Sequence, residues 1–331
     1  MDRGRRVPAY VASVVVVLLR SHSVVDRAAR TAPVAGRYAL LDQIGAGGMG
    51  SVWRARDTRT GEVVAVKVLG QHSASLLARF VREQAVRVRH PHVVAPTGWA
   101  AEDDLVLLAM DLVSGGSVQQ QLDEHGALPV GYAARLLEQL LMGLAAVHAA
   151  GLVHRDVKPA NLLLDATGSG DPHLRLGDFG VAAPIADRRF TTVPGAIGTD
   201  GYMPPEQARG APPDPCQDLY AVGRVGLQLL TGLPPCRQGA IGSNRLRPLL
   251  ERLLVVDPAQ RLASAEAALR LLRRLDIASE PGPVVTDRLA PLPATRRTRS
   301  LDSVDRAGWA GVAACLGVLV ACVVVVACVL T

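Results

Sequence analysis

A change of hydrophobic period near residue 113 constrains this chain more than any other feature. Before it, Tyr38–Ile44, Ser51–Arg56 and Glu62–Leu69 read as three strands joined by glycine-containing turns, and Leu105–Asp111 as a further apolar strand. Only Ala74–Val88 has helical spacing in this part. After it, apolar residues recur at helical intervals over Val130–Ala149, Leu219–Leu230, Leu246–Val255 and Ala263–Asp276. A period of two cannot be packed as a helix, nor a period of 3.6 as a strand. The spacing therefore predicts an α+β protein: a small β-rich lobe over 37–113 and a larger helical lobe over 114–276. With 331 residues the chain is long enough to bury a core in each.

Both ends carry apolar runs. Residues 1–36 open on Met1-Asp2-Arg3-Gly4-Arg5-Arg6 and continue into Ala9–Leu19, a basic start and short apolar stretch similar to a secretory leader. That run is too short to span a bilayer, and Arg20, His22, Asp26 and Arg27 stand where a small-residue cleavage site is expected. A disordered or membrane-skimming extension, or a wrongly assigned start codon, fits better. Residues 277–306 hold Pro281, Pro283, Pro291 and Pro293, then Arg296, Arg297, Arg299 and Arg306, and read as a linker. Trp309–Leu330 follows, 22 residues without a charge and about 33 Å long as a helix, enough to cross a membrane. The arginines precede this run and no charge follows it, so the globular part is expected on the cytosolic side. Only Thr331 lies beyond the run, so no external sensor domain is expected.

Composition excludes some classes. The net charge is +6, but the arginines are scattered and aromatics are only 3%, so no stacking surface for nucleic acid is evident. Of five cysteines, Cys315, Cys322 and Cys328 lie in the apolar run; Cys216 and Cys236 lack metal-ligand spacing, which suits a reducing compartment.

The first chemical signal is Gly45-Ala46-Gly47-Gly48-Met49-Gly50-Ser51-Val52, between two predicted strands. Glycines let backbone N–H groups approach phosphate oxygens. A dinucleotide fold places a helix after such a loop, whereas here a strand follows. Val64-Ala65-Val66-Lys67 comes next, with Glu83 on the predicted helix as the partner for Lys67; Glu102, Asp103 and Asp104 sit in a predicted turn. Of 36 basic residues, only Lys67 and Lys158 are lysine, and Asn161 is one of only two asparagines. Lysine is a compact point charge and arginine a planar fork, so a background that uses arginine elsewhere has kept lysine where shape matters.

His154-Arg155-Asp156-Val157-Lys158-Pro159-Ala160-Asn161 contains the second lysine and that asparagine. It resembles the catalytic loop of protein kinases, in the form found in the serine/threonine branch. Gly177-Asp178-Phe179-Gly180 resembles their metal-binding motif, and Pro204-Pro205-Glu206 stands where the family has Ala-Pro-Glu. The glycine loop, Arg79-Phe80-Val81-Arg82-Glu83 and the order of kinase segment, linker and single span further resemble bacterial eukaryotic-like (Hanks-type) kinases. The resemblance covers about 240 residues, from Arg37 to Asp276.

It implies a two-lobed protein-kinase fold plus a C-terminal transmembrane helix, with MgATP between the lobes and Mn²⁺ as an alternative cation. Asp156 and Lys158 would be catalytic, and Asn161 and Asp178 would hold the metal. Ile44, Gly45, Gly47, Gly50, Val52, Ala65, Lys67, Glu83, Met110, Asp111, Val113 and Leu163 would surround the nucleotide. Glu206 would pair with Arg261, and Asp218 would hold the catalytic-loop backbone. Thr191 and Thr192 are candidate phosphorylation sites, with Arg155 as the phosphate's partner, and a kinase–kinase dimer would serve autophosphorylation. Protein serine and threonine hydroxyls are the implied substrates. A non-enzymatic nucleotide-binding scaffold is the main rival; it would normally lack one of Lys67, Asp156, Asn161 and Asp178. A small-molecule phosphotransferase fits Pro204-Pro205-Glu206 and the threonines before it less well. The chain departs from the family between Leu233 and Arg245, where 13 residues replace the usual extra helix and loop that help dock substrates.

Overall fold

The computed structural model describes residues 33–47, 50–69, 88–94, 96–102, 105–178, 183–185 and 201–291. Five antiparallel strands build the first lobe: β1 (Tyr38–Gly47), β2 (Gly50–Asp57), β3 (Val63–Leu69), β4 (Pro96–Glu102) and β5 (Leu105–Met110). Their spatial order is β1-β2-β3-β5-β4. Tyr38, Trp53, Ala55, Val66, Val68, Leu107 and Ala109 form a core on one face, while Leu69, Val106 and Leu108 join Val88, Val93, Val147 and Leu152 on the other. This alternation is the strand period seen in the sequence. The lobe begins before Arg37: Val34 is buried and pairs with Tyr38, and the Ala35 amide donates to Glu102 Oε2 at 2.8 Å. That contact occupies Glu102.

The second lobe is built around α2 (Val130–Ala149), flanked by α1 (Val118–His125) and, further along, α4 (Pro215–Thr231), α5 (Arg247–Leu253) and α6 (Ala265–Arg274). Leu136, Leu137, Leu140, Leu141 and Leu144 of α2 are at most 1% exposed. Burying each side chain contributes about 1.5–3 kcal/mol before entropy is counted. Among the described residues α2 is the one helix long and apolar enough to cross a membrane, and it is the core of this lobe. The predicted run Trp309–Leu330 lies outside the described residues, as does the predicted helix Ala74–Val88 up to residue 87. Two small antiparallel ribbons complete the fold: β6 (Leu152–Val153) with β9 (Ala183–Pro184), and β7 (Leu162–Leu164) with β8 (Leu174–Leu176), whose buried leucines join the core of the helical lobe. A one-turn helix, α3 (Pro205–Ala208), precedes α4. Between α4 and α5 the described chain makes only a 3-10 turn at Pro235–Arg237, so the shortened stretch 233–245 carries no further α-helix.

The structure corrects the linker. The sequence assigns 277–306 to it, but residues 277–290 pack along the helical lobe and end against β2. Pro281 and Pro283 favour an extended path, and Val285, 2% exposed, provides one apolar anchor. Proline content shows that a segment is extended; it does not show that the segment is free.

Candidate active site

Strand register assembles the nucleotide side. Gly45 pairs with Val52, Val52 with Lys67, and Lys67 with Leu108, one row across four strands. One step away, Ala65 pairs with Met110, which is also opposite Pro96. Ile44, Gly47 and Gly50 lie in the β1–β2 hairpin. Gly50 has φ +141°, and a Cβ there would stand 2.1 Å from the Val68 carbonyl oxygen, so only glycine lets β2 start so close to β3. Asp111 and Val113 follow β5 in the connection to the helical lobe, where the Asp111 carboxylate meets Arg175 Nη2 of β8 at 2.5 Å. Leu163 is partly exposed between the buried Leu162 and Leu164 and lies against Gly177. Glu83, Thr191 and Thr192 lie outside the described residues, as do Phe179 and Gly180.

The polar residues converge. Lys67 Nζ meets Asp178 Oδ1 at 2.5 Å, joining the two lobes. Lys158 Nζ lies 2.8 Å from Asp156 Oδ2. Asn161 donates its amide to the Asp156 carbonyl at 2.8 Å and to Asp156 Oδ2 at 3.0 Å, which turns its own carbonyl oxygen away from Asp156. The Gly177 amide donates to the Asn161 carbonyl at 2.9 Å, tying the loop that bears Asp156 to the one that bears Asp178.

Asp218, at the N-terminus of α4, fixes this loop from below. Its carboxylate accepts from the His154 and Arg155 amides at 2.8 and 2.7 Å and from His148 Nε2 at 2.8 Å. Complete burial opposes its ionisation, but the His148 hydrogen bond, the His148 and His154 rings and the Arg155 amide outweigh that cost. They hold the carboxyl below its ordinary value. The strain sits nearby: Arg155 and Asp178 adopt φ +66° and +61°, left-handed backbone that is unfavourable for both residues. The Arg155 Nε is buried with no hydrogen-bond partner among the described residues, and burial lowers the guanidinium's pKa. The expected Glu206–Arg261 pair forms: Arg261 Nη1 and Nη2 reach the two Glu206 oxygens at 2.7 and 3.3 Å.

Sequence reasoning missed the support given by His148 and Gln207. Gln207 Nε2 donates to the Arg155 carbonyl at 3.2 Å. His148 falls in the last turn of α2 with no motif around it, so nothing in the sequence distinguished it. Among the described residues no cluster of three or more His, Cys, Asp or Glu side chains is arranged to hold a metal ion. The oxygen donors of Asp178 and Asn161 suit a hard cation that takes its remaining ligands from phosphate.

A β-sheet lobe joined by Lys67–Asp178 to a helical lobe that presents Asp156, Lys158 and Asn161 defines a protein kinase domain. The protein kinase domain family model matches residues 38–271, and the chain belongs to that family. Its relatives include bacterial serine/threonine-protein kinases. It is 40% identical over 224 residues to PkaA of Streptomyces coelicolor, covering 63% of this chain and 41% of that one. It is 35% identical over 301 residues to pkn3 of Myxococcus xanthus, covering 78% and 55%. It is 33% identical over 309 residues to PknA of Mycobacterium tuberculosis, covering 83% and 70%. The chain thus spans about half the length of the first two relatives.

Proposed function

We propose that the protein transfers the γ-phosphate of ATP to serine and threonine hydroxyls of other proteins. The observation that carries this reading is the 2.5 Å contact of Lys67 with Asp178 across the lobes, with the Asp156–Lys158–Asn161 cluster tied to the same loop. Lys67 holds the α- and β-phosphates, and the β1–β2 hairpin covers them with backbone N–H groups. Asp178 and Asn161 would hold Mg²⁺, which neutralises phosphate charge when bound. Asp156 accepts the proton of the attacking hydroxyl as its oxygen bonds to the γ-phosphorus and the bond to the β–γ bridging oxygen breaks. Lys158 steadies the transferring group. ADP and the phosphorylated side chain are the products. The test is incubation of the purified full-length chain with labelled ATP, Mg²⁺ and a generic protein acceptor, beside Asp156→Asn. Equal labelling by both would overturn the assignment.

The half-buried, strained Arg155, with its Nε unsatisfied among the described residues, suits a phosphate on Thr191 or Thr192, placed there by a second copy of the chain and ordering the segment between Asp178 and Glu206. Phosphosite mapping of active protein that finds neither threonine modified would remove this reading. The apolar run Trp309–Leu330, preceded by arginines, suits a single membrane span with the kinase domain in the cytosol, where ATP is. Full-length protein that stays soluble without detergent would remove that one.

A further inference from the structure

We propose that residues 278–290 are a clasp that sets the spacing of the two lobes and thereby the affinity for MgATP. This rests on the nucleotide site proposed above, and it concerns residues beyond 271, where the family match ends. The clasp is anchored at four successive places.

The first is the N-terminus of α2. Its cap residue, Pro129, makes no side-chain capping bond; instead Glu280 Oε2 accepts from the Gly131 amide at 2.7 Å. A carboxylate there satisfies an orphan donor and complements the helix dipole. The second is the core, where Val285 is 2% exposed and exchanges two 2.9 Å backbone hydrogen bonds with Gly168. The third is the connection between the lobes. The Arg288 amide donates to the Ser114 carbonyl at 2.8 Å, and both Arg288 Nη atoms meet Glu124 at 2.6 Å. The fourth is in the sheet lobe itself: Arg54 of β2 donates from Nη1 to the Ala290 carbonyl at 2.7 Å. The same Arg54 donates from Nε to Asp42 of β1 at 2.6 Å, so the clasp reaches both strands of the glycine-rich hairpin.

Glycines line its path. A Cβ at Gly131 would stand 2.2 Å from the Ala278 carbonyl oxygen, one at Gly115 would stand 2.6 Å from Val285, and one at Gly116 would stand 2.6 Å from Arg288. Within the clasp, a Cβ at Gly282 would stand 2.1 Å from the Tyr132 ring. Four close approaches that real Cβ atoms do not tolerate make a fitted track rather than a chance contact. A segment bound at once to α2, the inter-lobe connection and β2 restricts how far the lobes can part. Restricting an open–closed equilibrium toward the nucleotide-competent state raises apparent affinity in proportion to that state's population.

The test uses full-length protein in detergent. MgATP dissociation constants, thermal unfolding and amide exchange at residues 278–290 are compared for wild type, Arg288→Glu, Gly282→Val and the charge-swapped Glu124→Arg/Arg288→Glu. Each single variant is expected to raise exchange at Val285 and weaken MgATP binding about 10-fold through the open-state population. The swapped pair is expected to return within about twofold of wild type. If Arg288→Glu does not fold, Arg288→Gln carries the same comparison. Variants that free the clasp by exchange yet bind MgATP as wild type does would overturn the inference and leave the nucleotide site standing. A wild type that binds no MgATP would overturn both.

Discussion

Two ion pairs of similar length separate the cleft from the floor of the helical lobe. In the cleft, Lys67 and Asp178 meet at 2.5 Å with side chains 11% and 40% exposed. In the floor, Arg261 and Glu206 meet at 2.7 Å with side chains 0% and 9% exposed. Arg261 also donates to the carbonyls of Val255, Cys216 and Val256, so with Glu206 its whole fork is used within the lobe. Removing one partner of such a pair strands a buried charge. In the cleft Lys67 is largely covered, but Asp178 is open to solvent, so water can solvate the carboxylate once the lysine is removed. The same chemistry therefore serves fold stability in one place and reactivity in the other, and burial decides which.

That contrast can be broken by experiment. The largest effect is expected from Asp156→Asn: kcat should fall roughly 10²–10⁴-fold, the usual contribution of a positioned base. MgATP affinity and melting temperature should hardly move, because neither depends on proton acceptance. Glu206→Ala should show the reverse pattern, losing about 3–5 kcal/mol in denaturant unfolding while the folded fraction binds MgATP normally. If it unfolded like wild type, the floor pair would not be structural. Lys67→Met should cost about 100-fold in turnover through misplaced phosphates, with less than about 1 kcal/mol of stability lost.

Smaller effects follow from titration and thiol chemistry. Burial lowers the pKa of both His90 and His92, and it does so despite the hydrogen bond between His92 Nδ1 and the Leu174 carbonyl. A lowered histidine pKa means that the unfolded chain binds the proton more readily. Stability from this source is thus complete above the ordinary value of 6.5 and is lost as pH falls through the folded values. Unfolding midpoints should drop between pH 7 and 5.5, and a flat profile would contradict the burial. Smallest of all, a mild alkylating reagent at pH 8 should modify exposed Cys236 and spare Cys216, whose thiol burial pushes up to about 12.

The parts legible in the sequence are those where chemistry and local pattern coincide. The α2 helix matches its expected range at both ends because its apolar residues keep the helical period throughout. The strand β4 has no counterpart among the expected elements: Pro96 and Gly98 interrupt a strand pattern, and an edge strand tolerates them. Helix α1 was missed because Val118-Gln119-Gln120-Gln121 is polar. Its signal was the capping box of Ser117 with Gln120, in which each side chain bonds the other's backbone amide. The residues that converge in the cleft were legible through their motifs, whereas the support from His148 and Gln207 depends on contacts 52–70 positions apart in sequence. The 277–290 segment was misread because its meaning lies in Gly115, Gly116 and Gly131, more than 140 residues upstream.

The Arg54–Ala290 contact spans 236 positions, and this has a consequence for synthesis on the ribosome. The stretch matched by the family can leave the exit tunnel whole while Glu280, Val285 and Ala290 are still inside it. At about 5–20 residues per second that interval lasts on the order of seconds. During it, α2 lacks its carboxylate cap, and the helical core lacks one of its buried side chains. The last residues of the clasp to be translated are the ones that reach back to β2, among the first strands made.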